Sequence, residues 1–352
     1  MSYPIEIVLS DAPIEGLSGP LGNLCVHQSP LWPIVNPPEG KQKYLYFAAH
    51  RNSALVSSGL IRLRALFLGF QLAGIQRGPV VANLRDLPEV LTALEAALKP
   101  HKVVTLNANP YWLGSDAGQA QATLEQSGYD RVTPALQNFP TTTALIDTTA
   151  SQDDIMAAMT QTGRRQLRKA FKAGVTVRPM QDAAEVEIAN EIMAQMAVET
   201  GLVLDSQHDF GPHYAYLTQN PKEGSVLVTE VDGNIFGAAV NYLEGTMGYN
   251  MLLTTSSDVD VPRAYALMWH SILSLKALGA TCFDMVGYPD EDVDVNAGAK
   301  ARGNFKRGFG PEIVKMTPIM SKALIPALHN GIAWARSVRR SHKKAAIGAS
   351  KP

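Results

Sequence analysis

Residues 226–253 read VLVTEVDGNIFGAAVNYLEGTMGYNMLL and contain three β-rich runs in close succession. The runs cover Val226–Val231, Ile235–Tyr242 and Met247–Leu253. Asp232-Gly233, between the first two runs, is a strong signal for a tight hairpin turn. The stretch therefore predicts a three-stranded antiparallel meander.

A helix and a strand flank this meander on each side. Upstream, Val175–Arg178 reads as a strand and Ala184–Glu199 has the apolar spacing of a helix. Downstream, residues 262–278 read as a helix and Thr281–Val286 as a strand. This is the element order of an acetyltransferase-like (GNAT-type) domain, and we predict that residues 145–317 form one.

Residues 1–144 show the same alternation in a weaker form. Strand-like and helix-like runs follow one another at residues 4–9, 44–49, 60–68, 84–98, 103–106 and 117–126. We predict a degenerate GNAT-like copy there, completed by residues 318–352 through a helix over Ser321–Arg340. The fold class is then α+β / α/β, with two tandem GNAT-like domains. No long charged heptad run interrupts residues 175–286, so no coiled-coil arm is expected.

Composition excludes several classes of protein. Cys25 and Cys282 stand far apart and the eight histidines form no ligand pattern, so we predict no disulfide framework, no metal and no bound cofactor. The N-terminal residues lack the pattern of a signal peptide. No apolar run reaches the roughly 18 to 20 residues of a membrane span. We expect a cytoplasmic protein.

The net charge of −1 hides an uneven distribution. Residues 313–352 carry eight Lys or Arg and no acid, which leaves a net charge of −9 on residues 1–312. A basic tail on an acidic body suits an anionic partner such as RNA, a nucleotide or a membrane surface. A solvated helix end with a frayed tail is the alternative.

A second basic feature lies in residues 162–177, TGRRQLRKAFKAGVTV. On a helix its five cations form two adjacent rows, and no acid occurs between Ile155 and Gln181. The pattern predicts contact with a polyanion such as tRNA, whereas a solvated helix face is the plainer alternative. The cations are Arg164, Arg165, Arg168, Lys169 and Lys172.

Residues 304–310, NFKRGFG, bring one ammonium, one guanidinium and two aromatic rings into a short segment. Two glycines flank Phe309 and permit close approach of a ligand to the backbone. On the residues alone, a strand-edge turn with a solvated Lys-Arg pair is the alternative.

Six segments resemble, in order along nearly the whole chain, the motifs of the Fem family of tRNA-dependent aminoacyl transferases. That family includes the enzymes that add bridge amino acids to the peptidoglycan stem peptide. The segments are HQSPLW (27–32), QRGP (76–79), Asn109-Pro110, residues 162–177, FDMVG (283–287) and residues 304–310.

The resemblance implies transfer of an amino acid from aminoacyl-tRNA to an amine of a cell-wall precursor. It gives Lys306 the role of stabilising negative charge on the ester carbonyl, with Phe305 packed against the donor end and Arg307 near the tRNA phosphates. Asp284, at the end of a strand, is a candidate for orienting the amine, with a turn-capping role as the alternative. The other candidate substrate-binding residues are Trp32, Asn109, Tyr214 and Tyr249.

Two positions depart from the family pattern. Muropeptide-binding members have a lysine where this chain has Asn36, and an arginine where it has Phe210. Two positive contacts to a nucleotide-sugar diphosphate are then missing unless Lys41, Lys43 or Arg51 replaces them. The acceptor is therefore left open between a UDP-linked precursor, a lipid-linked precursor and a different amine.

Two other functions compete with this hypothesis. An acyl-CoA-dependent N-acyltransferase would hold a pyrophosphate on a glycine-rich loop before residues 262–278. That loop reads SDVDVPR (257–263), with two carboxylates and no glycine, which argues against acyl-CoA. In a non-catalytic RNA- or membrane-binding protein, residues 304–310 would be incidental.

Overall fold

The computed structural model describes residues 4–14, 24–133, 137, 139–289 and 297–332. The strands in these ranges are β1 (Ile5–Ser10), β2 (Gln42–Arg51), β3 (Ala54–Ala65), β4 (Gln71–Ile75), β5 (Val80–Val81), β6 (Val103–Ala108), β7 (Asp130–Arg131), β8 (Thr142–Asp147), β9 (Thr176–Pro179), β10 (Gly224–Val231), β11 (Asn234–Glu244), β12 (Met247–Thr255), β13 (Cys282–Asp284), β14 (Glu312–Lys315) and β15 (Met320–Ala323). The α-helices are α1 (Trp32–Val35), α2 (Leu87–Ala97), α3 (Ser115–Gln126), α4 (Gln152–Ala158), α5 (Gln161–Lys172), α6 (Ala183–Thr200), α7 (Phe210–Gln219), α8 (Tyr265–Ala277) and α9 (Ala297–Arg307).

Two sheets share one internal plan. In the first, β2, β3 and β4 are antiparallel neighbours, and β6 lies parallel to β4 after the crossover helix α2. In the second, β10, β11 and β12 are antiparallel neighbours, and β13 lies parallel to β12 after the crossover helix α8. The repeated plan confirms the prediction of a copy before residue 140.

Each sheet is completed by a strand from outside its own consecutive run. Strand β15 lies between β6 and β7 in the first sheet, so the chain returns there near its end. Strand β8 lies between β13 and β14 in the second sheet. The domain limits at residues 144/145 and 317/318 stay a prediction.

Local sequence signals explain several boundaries. Asp232 and Gly233 both have positive φ and form the predicted turn between β10 and β11. Gly174, with φ of +81°, follows α5 in the left-handed conformation that favours glycine. The Ser151 hydroxyl accepts the Asp154 N–H at 3.1 Å, which caps α4.

The helix predicted over Ser321–Arg340 starts late, at Pro326, whose position in the first turns favours such a start. Residues 320–323 form β15 because they pair with β6, and Met320 is buried in the first sheet's core. Helical residues begin at Pro326, which is tolerated in a first turn because no intrahelical partner awaits its missing N–H. The basic residues from 333 onward lie outside the described residues.

Three helices were not predicted, and one of them, α1, has only four residues. Helix α7 is short and opens with Phe210-Gly211-Pro212, a sequence typical of a turn. Helix α9 contains four of the residues of the NFKRGFG segment, which we had interpreted as a possible strand-edge turn. In the described part of the chain, no helix is long and apolar enough to cross a membrane.

One hydrophobic cluster joins the two sheets. It contains Trp32, Tyr46 and Tyr111 from the first half of the chain and Phe210 and Tyr242 from the second, all buried. Burial of large aromatic side chains is among the strongest contributions to packing. The cluster therefore holds the two sheets in contact through an apolar wall.

The turn after α9 packs directly on the first turn of α5. The carbonyl of Gly308 accepts the N–H of Thr160 at 3.1 Å. A methyl group at Gly163 would lie 2.0 Å from that carbonyl oxygen, so only glycine permits this approach. The contact fixes the position of residues 304–310 relative to the basic helix.

Alanine substitutions at two helical glycines should have opposite effects on stability. Gly118 in α3 is exposed with no atom near its missing methyl group, so Gly118→Ala should raise the free energy of unfolding by about 0.5–1 kcal/mol. Gly163→Ala should instead lower it by about 1–3 kcal/mol because the methyl group meets the Gly308 carbonyl. Urea denaturation followed by circular dichroism measures both, and an increase for Gly163→Ala would show that this packing is absent.

Candidate functional site

A cavity of about 200 Å³ opens between the two sheets. Arg77 and Tyr111 line it from the loops that follow β4 and β6, the parallel pair of the first sheet. Tyr249 on β12 and Asp284 at the end of β13 line it from the parallel pair of the second. Ligand sites in sheets of this kind form where parallel strands end, and this cavity combines two such ends.

Asp284 is a buried carboxylate with three hydrogen-bond donors. Only 2% of the residue is exposed. The Tyr111 hydroxyl donates to Oδ2 at 2.6 Å, the Thr143 hydroxyl donates to Oδ1, and the Val286 N–H donates to Oδ1 at 2.7 Å. The three donors hold both carboxylate oxygens of Asp284 in a fixed position at the cavity.

Tyr111 and Tyr249 supply the neutral aromatic surface beside Asp284. Their rings meet edge to face at 5.9 Å. Burial raises the pKa of each phenol well above its usual value, and the nearby Asp284 charge adds to the shift. Both hydroxyls therefore remain protonated, and Tyr111 acts as a hydrogen-bond donor.

Arg77 brings a positive charge to the same cavity. Its backbone has φ of +54°, and its N–H donates to Asn109 Oδ1 at 3.0 Å. Gln28 fixes the preceding segment, because its amide donates to the Gln76 carbonyl at 2.6 Å. The motifs HQSPLW and QRGP, distant in sequence, are thus joined by one buried side chain.

Three other titratable groups at the cavity, Cys25, His27 and His213, are neutral at pH 7. Burial raises the pKa of the Cys25 thiol to about 12, so Cys25 is not a nucleophile at neutral pH. Burial, with Arg77 nearby, lowers the pKa of His27 to about 3, and burial lowers that of His213 to about 4. The electrostatics of the cavity thus rest mainly on Arg77 and Asp284.

Comparison with the models of known families assigns the chain to one of them. Residues 25–208, just over half of it, match the model of the FemAB family. The chain belongs to the FemAB family. Residues 157–306 also match the model of the acetyltransferase (GNAT) domain, and both matches identify a transferase of acyltransferase type.

Solved structures of low sequence identity confirm the tandem GNAT-like fold. FemX matches with a TM-score of 0.74 and 16% identity, over 88% of this chain and 95% of that one. A tandem GNAT protein from the clavulanic acid biosynthesis pathway matches at 0.53 and 13%, over 91% and 98%. L-PGS from Bacillus licheniformis matches at 0.51 and 14%, over 82% and 87%. None of the curated proteins matches the chain.

In this FemAB-family chain, Lys306 lies behind the cavity wall instead of facing into it. Its Nζ donates to the carbonyls of Met285 at 2.7 Å, Val286 at 2.9 Å and Gly287. All three N–H bonds of the ammonium are therefore used, and burial lowers the pKa of Lys306 to about 8, opposed by nearby Asp284. In this arrangement Lys306 fixes the turn after Asp284, and its predicted role at a reacting carbonyl stays a prediction.

Three other predicted residues also lie away from the cavity lining. Phe305 packs with Tyr265 and Phe309, at ring distances of 5.1 and 5.5 Å. Arg307 lies over the ring of Tyr288 and donates to its hydroxyl. Tyr214 donates to the Gln181 carbonyl. Their predicted roles in substrate contact stay predictions.

Trp32 and Tyr249 line the cavity together with Asp284, and their predicted role in substrate binding stays a prediction. Trp32 is buried against the His27 ring at 4.4 Å, and the Tyr249 hydroxyl donates to the Leu24 carbonyl at 3.2 Å. Asn109 does not line the cavity but holds the backbone of Arg77.

Four of the five cations predicted to form a basic stripe on α5 are exposed, and the fifth is bonded to the backbone. Arg165, Arg168, Lys169 and Lys172 are exposed on one side of the helix. Arg164 is wrongly placed in that stripe, because its guanidinium folds back to donate to the carbonyls of Ala157, at 2.7 Å, and Met159. Four cations, not five, are free to meet a polyanion.

Three cavity residues, Arg77, Tyr111 and Thr143, were not among the predicted site residues. Arg77 stands inside the QRGP motif, and Tyr111 directly follows Asn109-Pro110, so the motifs marked their neighbourhoods. Thr143 lies in a threonine-rich strand and carries no motif of its own. Only strand pairing between β8 and β13 brings it to Asp284.

Replacement of Lys306 by methionine should destabilise the fold as well as reduce activity. Loss of the ammonium leaves the carbonyls of residues 285–287 without their donor, at a cost of about 2–3 kcal/mol in the free energy of unfolding. Arg307→Met, at the exposed neighbouring position, is the control and should cost less than about 1 kcal/mol. Loss of transfer without loss of stability in Lys306→Met would instead assign the ammonium to the chemistry.

Proposed function

We propose that the protein transfers an amino acid from aminoacyl-tRNA to an amine of a peptidoglycan precursor. The observation that carries this proposal is the buried Asp284 carboxyl group at the wall of a cavity between two GNAT-like domains. A buried carboxylate attracts an ammonium group and can accept its proton, which is what an amine acceptor needs before it attacks. Membership of the FemAB family supports the same reaction class.

The reaction needs no covalent enzyme intermediate. The acceptor ammonium gives one proton to Asp284, and the freed amine attacks the ester carbonyl carbon to form the C–N bond. The C–O bond to the tRNA ribose then breaks, the nitrogen loses its second proton, and the ribose oxygen takes up one proton. An aminoacyl ester is already activated, and the raised pKa of Cys25 removes the nearest thiol as a nucleophile.

Two surface features favour tRNA over acyl-CoA as the donor. The exposed cations of α5 lie on the helix that packs against residues 304–310, so a polyanion bound there lies beside the second domain's core. The loop before α8 places Asp258 and Asp260 where a pyrophosphate would have to bind. Asp258 is held in that loop by Ser256, whose hydroxyl lies 3.0 Å away.

The match of residues 157–306 to the acetyltransferase domain keeps acyl-CoA as the second candidate donor. The two donors are separated by one experiment. The protein is incubated with total tRNA charged with labelled amino acids, or with acetyl-CoA, together with UDP-linked and lipid-linked precursors. We expect products heavier by one amino acid residue, and acetylated products alone would refute the tRNA-dependent reaction.

The chain lacks the two cations that would contact a diphosphate of the acceptor, because it has Asn36 and Phe210 at those positions. Asn36 is buried and bonded to the Ser206 hydroxyl at 2.7 Å, and Phe210 is fully buried. Of the candidate replacements, Arg51 is already paired with Asp86 at 2.7 Å. The acceptor end that enters the cavity, and not its diphosphate, is therefore the better basis for recognition.

We place the reaction in the cytoplasm, where aminoacyl-tRNA is made. A peripheral contact of the basic tail with a membrane would bring the enzyme to a lipid-linked acceptor, and it stays a prediction because those residues lie outside the described part of the chain. The reaction as proposed uses no cofactor beyond the aminoacyl-tRNA co-substrate.

Replacement of Asp284 should remove catalysis more than binding. Asp284→Asn keeps the shape but loses the charge that attracts the ammonium and takes its proton, so kcat should fall by at least about 10²-fold. The control is Asp130→Asn, which makes the same chemical change at an exposed position. Its kcat should differ from that of wild type by no more than a small factor. Steady-state rates with charged tRNA measure both, and a folded Asp284→Asn enzyme within threefold of wild type would exclude this role.

Neutralising the four exposed cations of α5 should weaken tRNA binding and its dependence on salt. Arg165, Arg168, Lys169 and Lys172 are changed together to Gln, which should reduce the slope of log Kd against log salt by up to about 3. The matched control removes two exposed arginines and two exposed lysines elsewhere, namely Arg64, Arg85, Lys99 and Lys222. Equal slopes for both variants in filter binding would show that α5 is not the tRNA surface.

A further inference from the structure

Arg77 is a buried cation without a counter-charge. The residue is 5% exposed, and its Nη2 donates to the Pro140 carbonyl at 3.0 Å while the guanidinium lies 5.4 Å from the centre of the Phe139 ring. Its Nη1 has no hydrogen-bond partner, and among the described residues no carboxylate forms an ion pair with it. Buried arginines are normally paired, so this one is set up for a group that the chain itself does not supply.

The guanidinium is also held in place from both ends. The Arg77 backbone is fixed by Asn109, whose own N–H donates to the Gly78 carbonyl at 3.2 Å. The far end is fixed by Pro140. An arginine held in this way loses little further freedom when it binds a ligand, which makes it a good recognition group.

Arg77 and Asp284 lie at the same wall of the cavity. Pro140, which holds Arg77, lies against Gly287, where an added methyl group would come within 2.7 Å of its ring. Gly287 donates its N–H to the Thr143 hydroxyl at 3.1 Å, and Thr143 in turn donates to Asp284. Arg77 and Asp284 form no ion pair with each other, and both line the cavity together with Cys25.

We infer that the cavity recognises an acceptor amine that carries a carboxylate on the same or an adjacent carbon, as in the head group of an α-amino acid. The ammonium binds at Asp284, and the carboxylate binds at the guanidinium of Arg77, which lines the same cavity. The inference rests on the proposed function and names its substrate class. The aminoacyl donor cannot supply this carboxylate, because its carboxyl group is esterified to the tRNA.

The rest of the cavity fits such a group. Its volume of about 200 Å³ suits one amino-acid head group with its side-chain stem. Trp32, Tyr249 and Met251 supply neutral walls, and the lowered pKa of His27 keeps that ring from adding a second positive charge. A zwitterion thus meets one complementary charge at each end.

The test uses two acceptor peptides that differ by one carboxylate. One contains a lysyl residue and the other a 2,6-diaminopimelyl residue, whose side-chain amine carries a carboxylate on the same carbon. Wild type should favour the diaminopimelyl peptide by about 10- to 100-fold in kcat/KM with charged tRNA, the usual size for a charge-assisted hydrogen bond. Calorimetry of each peptide with the protein alone should show the same preference in Kd.

Arg77→Met should abolish this preference, so that the diaminopimelyl and lysyl peptides have kcat/KM values within about threefold of each other. The loss for the diaminopimelyl peptide should appear in KM more than in kcat, because a carboxylate is charged in the ground state. Arg77→Lys keeps the charge without the planar fork and should retain part of the preference, which guards against misfolding of the Met variant. The exposed Arg64→Met is the matched control and should keep the full preference.

The outcomes separate the two levels of the proposal. If wild type transfers to both peptides equally, or if Arg77→Met lowers kcat equally for both, Arg77 does not read a carboxylate and the inference is overturned while the proposed function stands. If neither peptide is aminoacylated, the proposed function fails. The calorimetric preference then decides by itself whether the cavity recognises a zwitterion.

Discussion

Tyr111 follows the last parallel strand of the first sheet, and its hydroxyl donates to Asp284 at the end of the last parallel strand of the second. This hydrogen bond crosses between the two sheets beside a shared aromatic cluster. It can form only if both sheets present the same end to one another. The position of the Asp284 carboxylate and of the turn at residues 286–287 depends on how the two sheets face each other.

The repeated plan of the fold explains why such a site exists. Each sheet has three antiparallel strands followed by a parallel strand after a helix, and each therefore opens at the carboxyl end of that parallel pair. In a single GNAT-like sheet, the gap at the carboxyl ends of the parallel strands faces solvent. Two sheets that face each other enclose the space between their openings, so charges such as Arg77 and Asp284 act in a less polar medium and interact more strongly with a ligand.

Local signals were enough to predict most elements of the second domain, because hairpin turns, helix caps and apolar spacing act over a few residues. They failed where pairing partners are distant. Met320–Ala323 forms a strand only because β6 offers it an edge, and no local feature of those residues indicates this. The site follows the same rule: Asp284 and Trp32 were predicted from motifs, whereas Thr143 reaches the site through strand pairing alone.

The two cations near the cavity show why a motif does not define a role. Lys306 stands in the most conspicuous segment of the sequence, and in this structure its three N–H bonds go to the backbone carbonyls of residues 285–287. Arg77 stands in a weaker motif but keeps an unpaired Nη1 beside the cavity. Because a buried charge is costly unless it is paired, an unsatisfied cation such as Arg77 favours ligand contact, whereas the role of Lys306 at the reacting carbonyl stays a prediction. The number of hydrogen-bond acceptors that the fold provides to each cation is visible only in the structure. It therefore helps to distinguish a cation that stabilises the site from one that is available to bind the substrate.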